Sequence, residues 1–265
     1  MKFCSLYSGS SGNCIFVGNG NDSNILIDAG VSGTRIERAL QNIGEDVHSV
    51  KAILITHEHS DHVAGAGILS RRFNIPVFAN EGTWAAMDRE KLLGKFPEVN
   101  RRVIITGTGF EIGDFCISSF SVPHDAAAPV AYTVTCGEHK ISVATDMGYV
   151  TEDVRKSVSG SELVLLESNH DIEMLKFGKY PMHLKRRILG EKGHLSNESA
   201  ASLVTELATQ GTKYFVLGHL SKENNFPQLA FETSRAELLS NGFNMENNFY
   251  LSVAQRDSVS EVIEL

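Results

Sequence analysis

The sequence predicts an α/β (α+β) chain built as a four-layer αββα sandwich, with two sheets face to face and helices outside. Two observations predict it. Strand-like segments fall into two groups, one in each half of the 265 residues, and each group is interleaved with segments of helical period. Two covered sheets are the layered solution to such a pattern. Hydrophobic residues make up 42 % and charged ones 21 %, which is ordinary globular usage. A chain of this length buries roughly three quarters of its unfolded surface and needs no staples to hold a core. No Pro- or Ser-rich linker, low-complexity tract or solenoid-period repeat interrupts it, so residues 1–265 are read as one domain.

In chain order, residues 3–7, 13–17 and 25–28 alternate as strands separated by Ser/Gly/Asn turns. Ile36, Ala39, Leu40 and Ile43 recur at helical spacing over residues 33–43. Residues 51–56 form a short apolar strand, and 63–73 reads as a helix. Strands follow at 77–80, 103–106, 116–122, 131–135 and 140–145. A strand over 162–167 precedes helices near 182–189 and 197–209, the second starting beside a Ser196/Asn197 cap. Strand 214–217, helix 227–240 and a last strand near 249–254 complete the second group.

Lys plus Arg total 24 against 32 Asp plus Glu, a net charge of −8. That balance argues against nucleic acid held by bulk charge alone and leaves room for a local basic face. The four cysteines, Cys4, Cys14, Cys116 and Cys136, form no CxxC pair, and no apolar segment of signal length opens the chain. Together these predict a reducing, cytoplasmic setting. Cys116 and Cys136, flanked by strand residues, are expected to be buried thiols. Apolar runs such as residues 163–166 fall far short of the roughly 20 residues that span a bilayer, so no membrane partner is expected.

The chemistry concentrates at residues 57–62, His57-Glu58-His59-Ser60-Asp61-His62, directly after a strand. Neutral imidazole is the commonest protein ligand for zinc-like ions, and carboxylate oxygens complete such sites. Three of the ten histidines fall within six positions, a density that a solvated polar turn rarely reaches by chance. Four potential ligands on a strand-to-helix turn can face two adjacent metals. Gly65-Ala66-Gly67 lacks both the third glycine of a dinucleotide fingerprint and the Gly-Lys pair of a P-loop.

This HxHxDH run resembles the signature of the metallo-β-lactamase superfamily, and the likeness extends along the chain. An Asp closes an early strand at Asp28, a His follows a strand at His124, an Asp ends a strand at Asp146, and a last His follows a strand at His219. The resemblance implies the metallo-β-lactamase fold and two divalent ions, zinc or manganese, with iron also suited to nitrogen and oxygen ligands. It implies that one ion takes His57, His59, His124 and Asp146, and the other Asp61, His62, Asp146 and His219. Asp28 would orient the ligand loop through hydrogen bonds.

Two further places bear on the reaction. Glu167 ends a strand before Ser168-Asn169-His170, and His194 stands in Gly193-His194-Leu195-Ser196 ahead of a helix. In nucleases similar to RNase Z and RNase J, an acid and a His at these places form a pair near the scissile phosphate. The other readings are a helix-start histidine and a strand-end salt bridge. From Met174 to Gly190 the chain carries Lys176, Lys179, Lys185, Arg186, Arg187 and His183 with no acid. Such a run is either a solvated face or a set of contacts to a phosphodiester backbone. Phe177 and Tyr180 within it either stack a base or pack into the core. His170 is a further candidate for substrate contact. The Ser8–Asn13 turn either offers backbone N–H groups to the site or is an ordinary β-turn.

Closer still, Ser8-Gly9-Ser10-Ser11-Gly12-Asn13-Cys14, Glu167-Ser168-Asn169-His170-Asp171 and Gly193-His194-Leu195-Ser196-Asn197 resemble the YycJ/WalJ family. That resemblance implies a 5′-to-3′ exonuclease on DNA working through a metal-bridging hydroxide. His194, held by Glu167, would donate the proton to the leaving oxygen, and Asp61 would handle the nucleophile's proton. The sequence departs from RNase J-like chains in lacking a clamp insertion and from RNase Z in lacking a long Gly/Pro-rich arm, which weakens an RNA-processing reading. The alternatives are that reading, a thiolester or lactone hydrolase on the same metal pair, and a non-catalytic binding protein.

Overall fold

The structure is a computed structural model that describes residues 1–20, 23–244 and 249–265. Among the described residues two seven-stranded sheets pack face to face. The first holds β1 (Lys2–Tyr7), β2 (Cys14–Gly18), β3 (Asn24–Ile27), β4 (Val50–Leu54), β5 (Val77–Asn80) and β6 (Arg101–Ile104), with β14 (Ile263–Glu264) returning to pair β1. The second holds β7 (Gly109–Ile112), β8 (Phe115–Ser121), β9 (Val130–Cys136), β10 (His139–Ala144), β11 (Leu163–Glu167), β12 (Tyr214–Gly218) and β13 (Tyr250–Val253).

Period-two alternation makes the layers. In β3, Ile25 and Ile27 face the second sheet and meet Tyr132 and Ile141, while Leu26 faces outward with Ile36 and Leu40 of α1 (Gly33–Asn42). In β11, Leu163 and Leu165 enter the inter-sheet core, and Val164 and Leu166 join Leu203 and Leu207 of α8 (Asn197–Thr209). Because central strands such as β3 and β11 are apolar on both faces, each sheet must be covered on both sides there. α3 (Ala66–Phe73) and α4 (Glu81–Arg89) cover the first sheet with α1; α5 (Glu152–Val158) and α9 (Pro227–Ser240) cover the second with α8. The αββα expectation holds.

The two sheets repeat one pairing scheme. In each, antiparallel pairs give way to parallel ones, β2/β3 then β3/β4 in the first and β9/β10 then β10/β11 in the second. Asp28 follows β3 and Asp146 follows β10 at equivalent points of the two halves, so the strand ends that carry chemistry point to one edge of the sandwich.

Several elements differ from the sequence expectation. The helix expected over 63–73 is broken into α2 (Ser60–Val63) and α3, because Gly65 N donates to Ala29 O at 2.7 Å and a Cβ there would lie 2.2 Å from Val31 O. Only glycine lets the helix press onto the Asp28 loop this closely. Helices α4, α5 and α6 (Ile172–Phe177) have no long apolar period, and caps start them: Asn80, Thr151 and Asp171 accept from Thr83 N, Val154 N and Met174 N. The cysteine expectation is corrected. Cys116 is exposed and Cys136 half-buried, because β8 turns Phe115 and Ile117 inward and Cys116 out. The buried thiols are Cys4 and Cys14, and burial pushes the Cys4 thiol up to about 12. No helix among the described residues is long and apolar enough to cross a membrane.

Candidate metal centre

The site forms where β3, β4, β10, β11 and β12 end. Asp28, Asp146 and His219, each just past a strand, take left-handed φ of 61°, 58° and 56°. A non-glycine residue there costs about 1–2 kcal/mol, so three such residues at one edge mark strain held in place by their surroundings. The turns aim their side chains back over the strand ends.

Asp28 organises the His57–His62 turn. Its carboxylate accepts from Thr56 N (2.8 Å), Thr56 Oγ1 (2.8 Å) and His62 Nδ1 (2.7 Å). His62 therefore turns Nε2 toward Asp146 Oδ2 (3.4 Å) and Asp61 Oδ2 (3.7 Å). His57 Nε2 faces His59 Nδ1 at 3.1 Å, and the His124 ring lies 5.0 Å from His57 and 5.1 Å from His59. His124 Nδ1 is taken by Gly193 O at 3.1 Å and His219 Nδ1 by Glu167 Oε1 at 2.8 Å. Three of the histidines thus have Nδ1 anchored, which fixes the ring and turns Nε2 toward the cluster.

The donor atoms gather in overlapping sets. His57, His59 and His124 offer nitrogens within 4.8 Å of one another, as do the ligand atoms of Asp61, His62 and His219; Asp146 groups both with His57 and His62 and with His219. His124 Nε2, His219 Nε2 and Asp146 Oδ2 are buried without a hydrogen bond. Orphaned buried polar atoms are costly and rare, and three converging in one cluster fit a bound cation. The nitrogen and oxygen donors suit zinc, manganese or iron alike.

Glu167 is fully buried and already saturated. Oε1 accepts from His194 Nδ1 and His219 Nδ1, both at 2.8 Å; Oε2 accepts from Met147 N at 2.9 Å and Leu195 N at 3.1 Å. It lies close enough to Asp146, His194 and His219 to share a metal with them, yet these four bonds leave it no oxygen to spend on one. Burial alone would raise its carboxyl; His194 and His219 outweigh that and hold it below the usual range. Burial likewise disfavours the His62 cation, but Asp28 and Asp146 raise it to about 9.

A cleft of about 230 Å³ opens over the cluster, bounded by His59, Asp61, Asp146, His194 and His219 on one side. Tyr180 and, from α7 (Met182–Ile188), Leu184, Arg187 and Ile188 form the other. Arg187 Nε donates to Asp125 Oδ2 at 2.5 Å beside His124. The rest of the basic run divides. Lys185 Nζ is taken up by Lys176 O and Gly178 O, both at 2.7 Å, and Lys176 pairs with Glu173, whereas Lys179 and Arg186 are exposed. His170 is buried, with Nδ1 unbonded and its pKa pushed by burial down to about 4; it is not part of the cleft wall.

Supporting residues act through the backbone, in bonds that the sequence did not show although it marked the Ser8–Asn13 turn. Ser8 Oγ accepts from His219 N at 2.8 Å, and Asn169 Nδ2 donates to His219 O at 2.9 Å, so both ends of the strained His219 peptide are held. The Ser8–Asn13 turn braces the ligand loop, with Asn13 N donating to Asp61 O at 2.8 Å and the Asn13 amide 3.1 Å from His62 Nε2. Thr56 bonds Asp28 and lies 3.0 Å from His57 Nδ1.

Comparison with known proteins agrees with this fold. A family model described as a beta-lactamase superfamily domain matches residues 23–220. The chain is 40 % identical to exodeoxyribonuclease YycJ of Bacillus anthracis, over 94 % of its own length and 93 % of that protein. It is 38 % identical to exodeoxyribonuclease WalJ of Streptococcus pneumoniae, over 100 % of its own length and 98 % of that protein. Among solved structures, Zn²⁺-bound PqqB from Methylobacterium extorquens shares the fold with a TM-score of 0.71 at 18 % identity, each chain covered fully. Human short-form tRNase Z does so with 0.64 at 18 % identity, over 98 % of this chain and 99 % of that one. The strand-end cluster is therefore set in a known frame: the chain belongs to the beta-lactamase superfamily and, within it, to the family of YycJ and WalJ.

Proposed function

We propose that the protein is a two-metal phosphodiesterase that degrades DNA as an exonuclease from the 5′ end. The observation that supports this reading most is the Glu167–His194 pair, whose imidazole, held by the buried carboxylate, lines the same cleft as the donor cluster. His57, His59, His124 and Asp146 would hold one ion, and Asp61, His62, Asp146 and His219 the other. Such ions, when bound, neutralise phosphoryl charge and lower the pKa of water toward about 7.

The chain's own residues do the rest. Asp28 fixes the His62 ring and, through Thr56, the start of the ligand turn. Glu167 accepts from His194 Nδ1, which leaves Nε2 as the nitrogen that delivers a proton to the departing 3′ oxygen. General-acid catalysis of this kind contributes roughly 10²–10⁴-fold. Asp61, a quarter exposed in the cleft, takes the proton of the attacking water. Arg187 on the opposite wall meets the substrate phosphate. DNA as substrate draws on the relatives named exodeoxyribonuclease.

The test is incubation of metal-reconstituted protein with 5′- and 3′-labelled single-stranded DNA, double-stranded DNA and RNA, beside an Asp146→Ala control. Mononucleotide release from the 5′ end of DNA, abolished in the control, is expected. Thiolester or lactone turnover with no polymer cleavage would overturn the proposal.

A further inference from the structure

The segment from α6 through α7 carries side chains that the metal centre does not use. Phe177 is 83 % exposed and Met182 62 % exposed, so neither packs into the core. Isolated exposed apolar side chains are common, but the backbone beneath Phe177 is fixed. Lys185 Nζ, reaching back from α7, donates to the carbonyls of Lys176 and Gly178, the residues on either side of Phe177, at 2.7 Å each. Leu175, two residues earlier, is fully buried and anchors α6. An aromatic ring held outward on a stapled turn loses little entropy on binding a flat partner.

Charge points to an anionic partner. In a chain of net charge −8, the run from Met174 to Gly190 holds five Lys and Arg residues and no carboxylate. Of these, Lys179 and Arg186 are exposed, and Lys176 has only an exposed i,i+3 partner in Glu173, a weak competitor for phosphate. The adjoining cleft is about 230 Å³, and a base can lie on an exposed ring only when it is not stacked within a duplex. Tyr180 carries the same segment into the cleft wall.

We propose that this strap is a stacking platform for single-stranded nucleic acid. A base outside the cleft lies on Phe177 while Lys179 and Arg186 hold the flanking phosphates, an arrangement of aromatic and cationic groups that takes strands irrespective of sequence. The proposal rests on the phosphodiesterase reading and names how that site receives its substrate.

The experiment measures binding of a fluorescein-labelled oligothymidylate to metal-loaded protein by anisotropy, in a His194→Ala background that slows cleavage. Phe177→Ala is expected to weaken binding on the order of ten-fold, with Phe177→Trp restoring it. Lys179→Gln with Arg186→Gln should flatten the slope of log affinity against log salt by about 0.7 per phosphate contact removed. Unchanged binding in Phe177→Ala, or loss of anionic-vesicle binding in its place, overturns the platform. A separate assay in the His194-containing protein uses bis(p-nitrophenyl) phosphate, which carries no flanking nucleotide for the strap to hold. Its hydrolysis should be equal with and without Phe177→Ala, and a parallel fall would mean that the strap only shapes the cleft. Absence of that hydrolysis in the unmutated protein contradicts the phosphodiesterase reading and leaves the binding result to stand or fall alone.

Discussion

His194 and His219 meet on one oxygen of Glu167, each through Nδ1 at 2.8 Å. One ring belongs to the donor cluster and the other opens to the cleft, so a single buried carboxylate orients a metal ligand and a proton donor together. Changing Glu167 should disturb both functions, whereas changing His194 should disturb one.

Glu167→Gln keeps the volume and replaces an ionised acceptor by an amide that can accept at only one of its two termini. Metal affinity should fall about 10–100-fold, the usual effect of losing a partner behind a ligand, and turnover should fall with it. Equilibrium dialysis and steady-state kinetics on the same sample read both. Full metal affinity with reduced turnover would detach Glu167 from His219.

His194→Ala should leave metal content unchanged and lower kcat on DNA by roughly 10²–10⁴-fold. A p-nitrophenyl leaving group needs no proton, so bis(p-nitrophenyl) phosphate should be hydrolysed at a nearly normal rate. Equal losses on both substrates would remove the proton-donor role.

Stability of the metal-free protein should fall between pH 6.5 and about 9. The His62 pKa rises from 6.5 unfolded to about 9 folded, with Asp28 and Asp146 overcoming burial. Its contribution is therefore fully present below pH 6.5 and is lost as pH climbs through 9. His219 is shifted the same way, with Asp146, Asp61 and Glu167 overcoming burial. Melting in the presence of chelator should show the decline, and His62→Gln should flatten it. Metal affinity should move oppositely, rising with pH over the same interval, since a ligating imidazole must be neutral.

Gly30→Ala tests the link from fold to site. A Cβ at position 30 would lie 1.6 Å from Asp61 O and 2.7 Å from Asn13 N. The Asp61 backbone must shift, at about 1–3 kcal/mol for an overpacked site. A lower Tm together with weaker metal retention is expected. A normal Tm and normal retention would mean that the ligand loop is free to move.

The parts of this site that share a short stretch of chain were legible in the sequence. His57, His59, Asp61 and His62 sit within one turn, and their spacing shows without a fold. Asp28, His124, Asp146 and His219 each close or follow an apolar strand, so the order of strands and polar residues found them once the first motif set a frame. Ser8, Asn13 and Thr56 were harder because they act by hydrogen bonds to residues as distant as His219, and a serine or asparagine in a turn has the same local pattern whether or not it braces a ligand. Phe177 and Lys185 were ambiguous for a related reason: composition marked the strap as basic, but only the fold separates the lysine that staples it from the ring that it displays. Helices α4 to α6 escaped because caps rather than apolar period begin them. Cys116 was misplaced because a cysteine in a strand takes the face that register assigns, and register depends on a partner strand far along the chain.

The most direct test of the account is a metal titration of stripped protein, with bound ions counted by dialysis and 5′-labelled DNA cleavage measured in the same samples. Two ions per chain are expected, with mononucleotide release appearing as the second site fills and absent in Asp146→Ala. Full cleavage with one ion or none, or two ions bound with no phosphodiester cleaved, would contradict it.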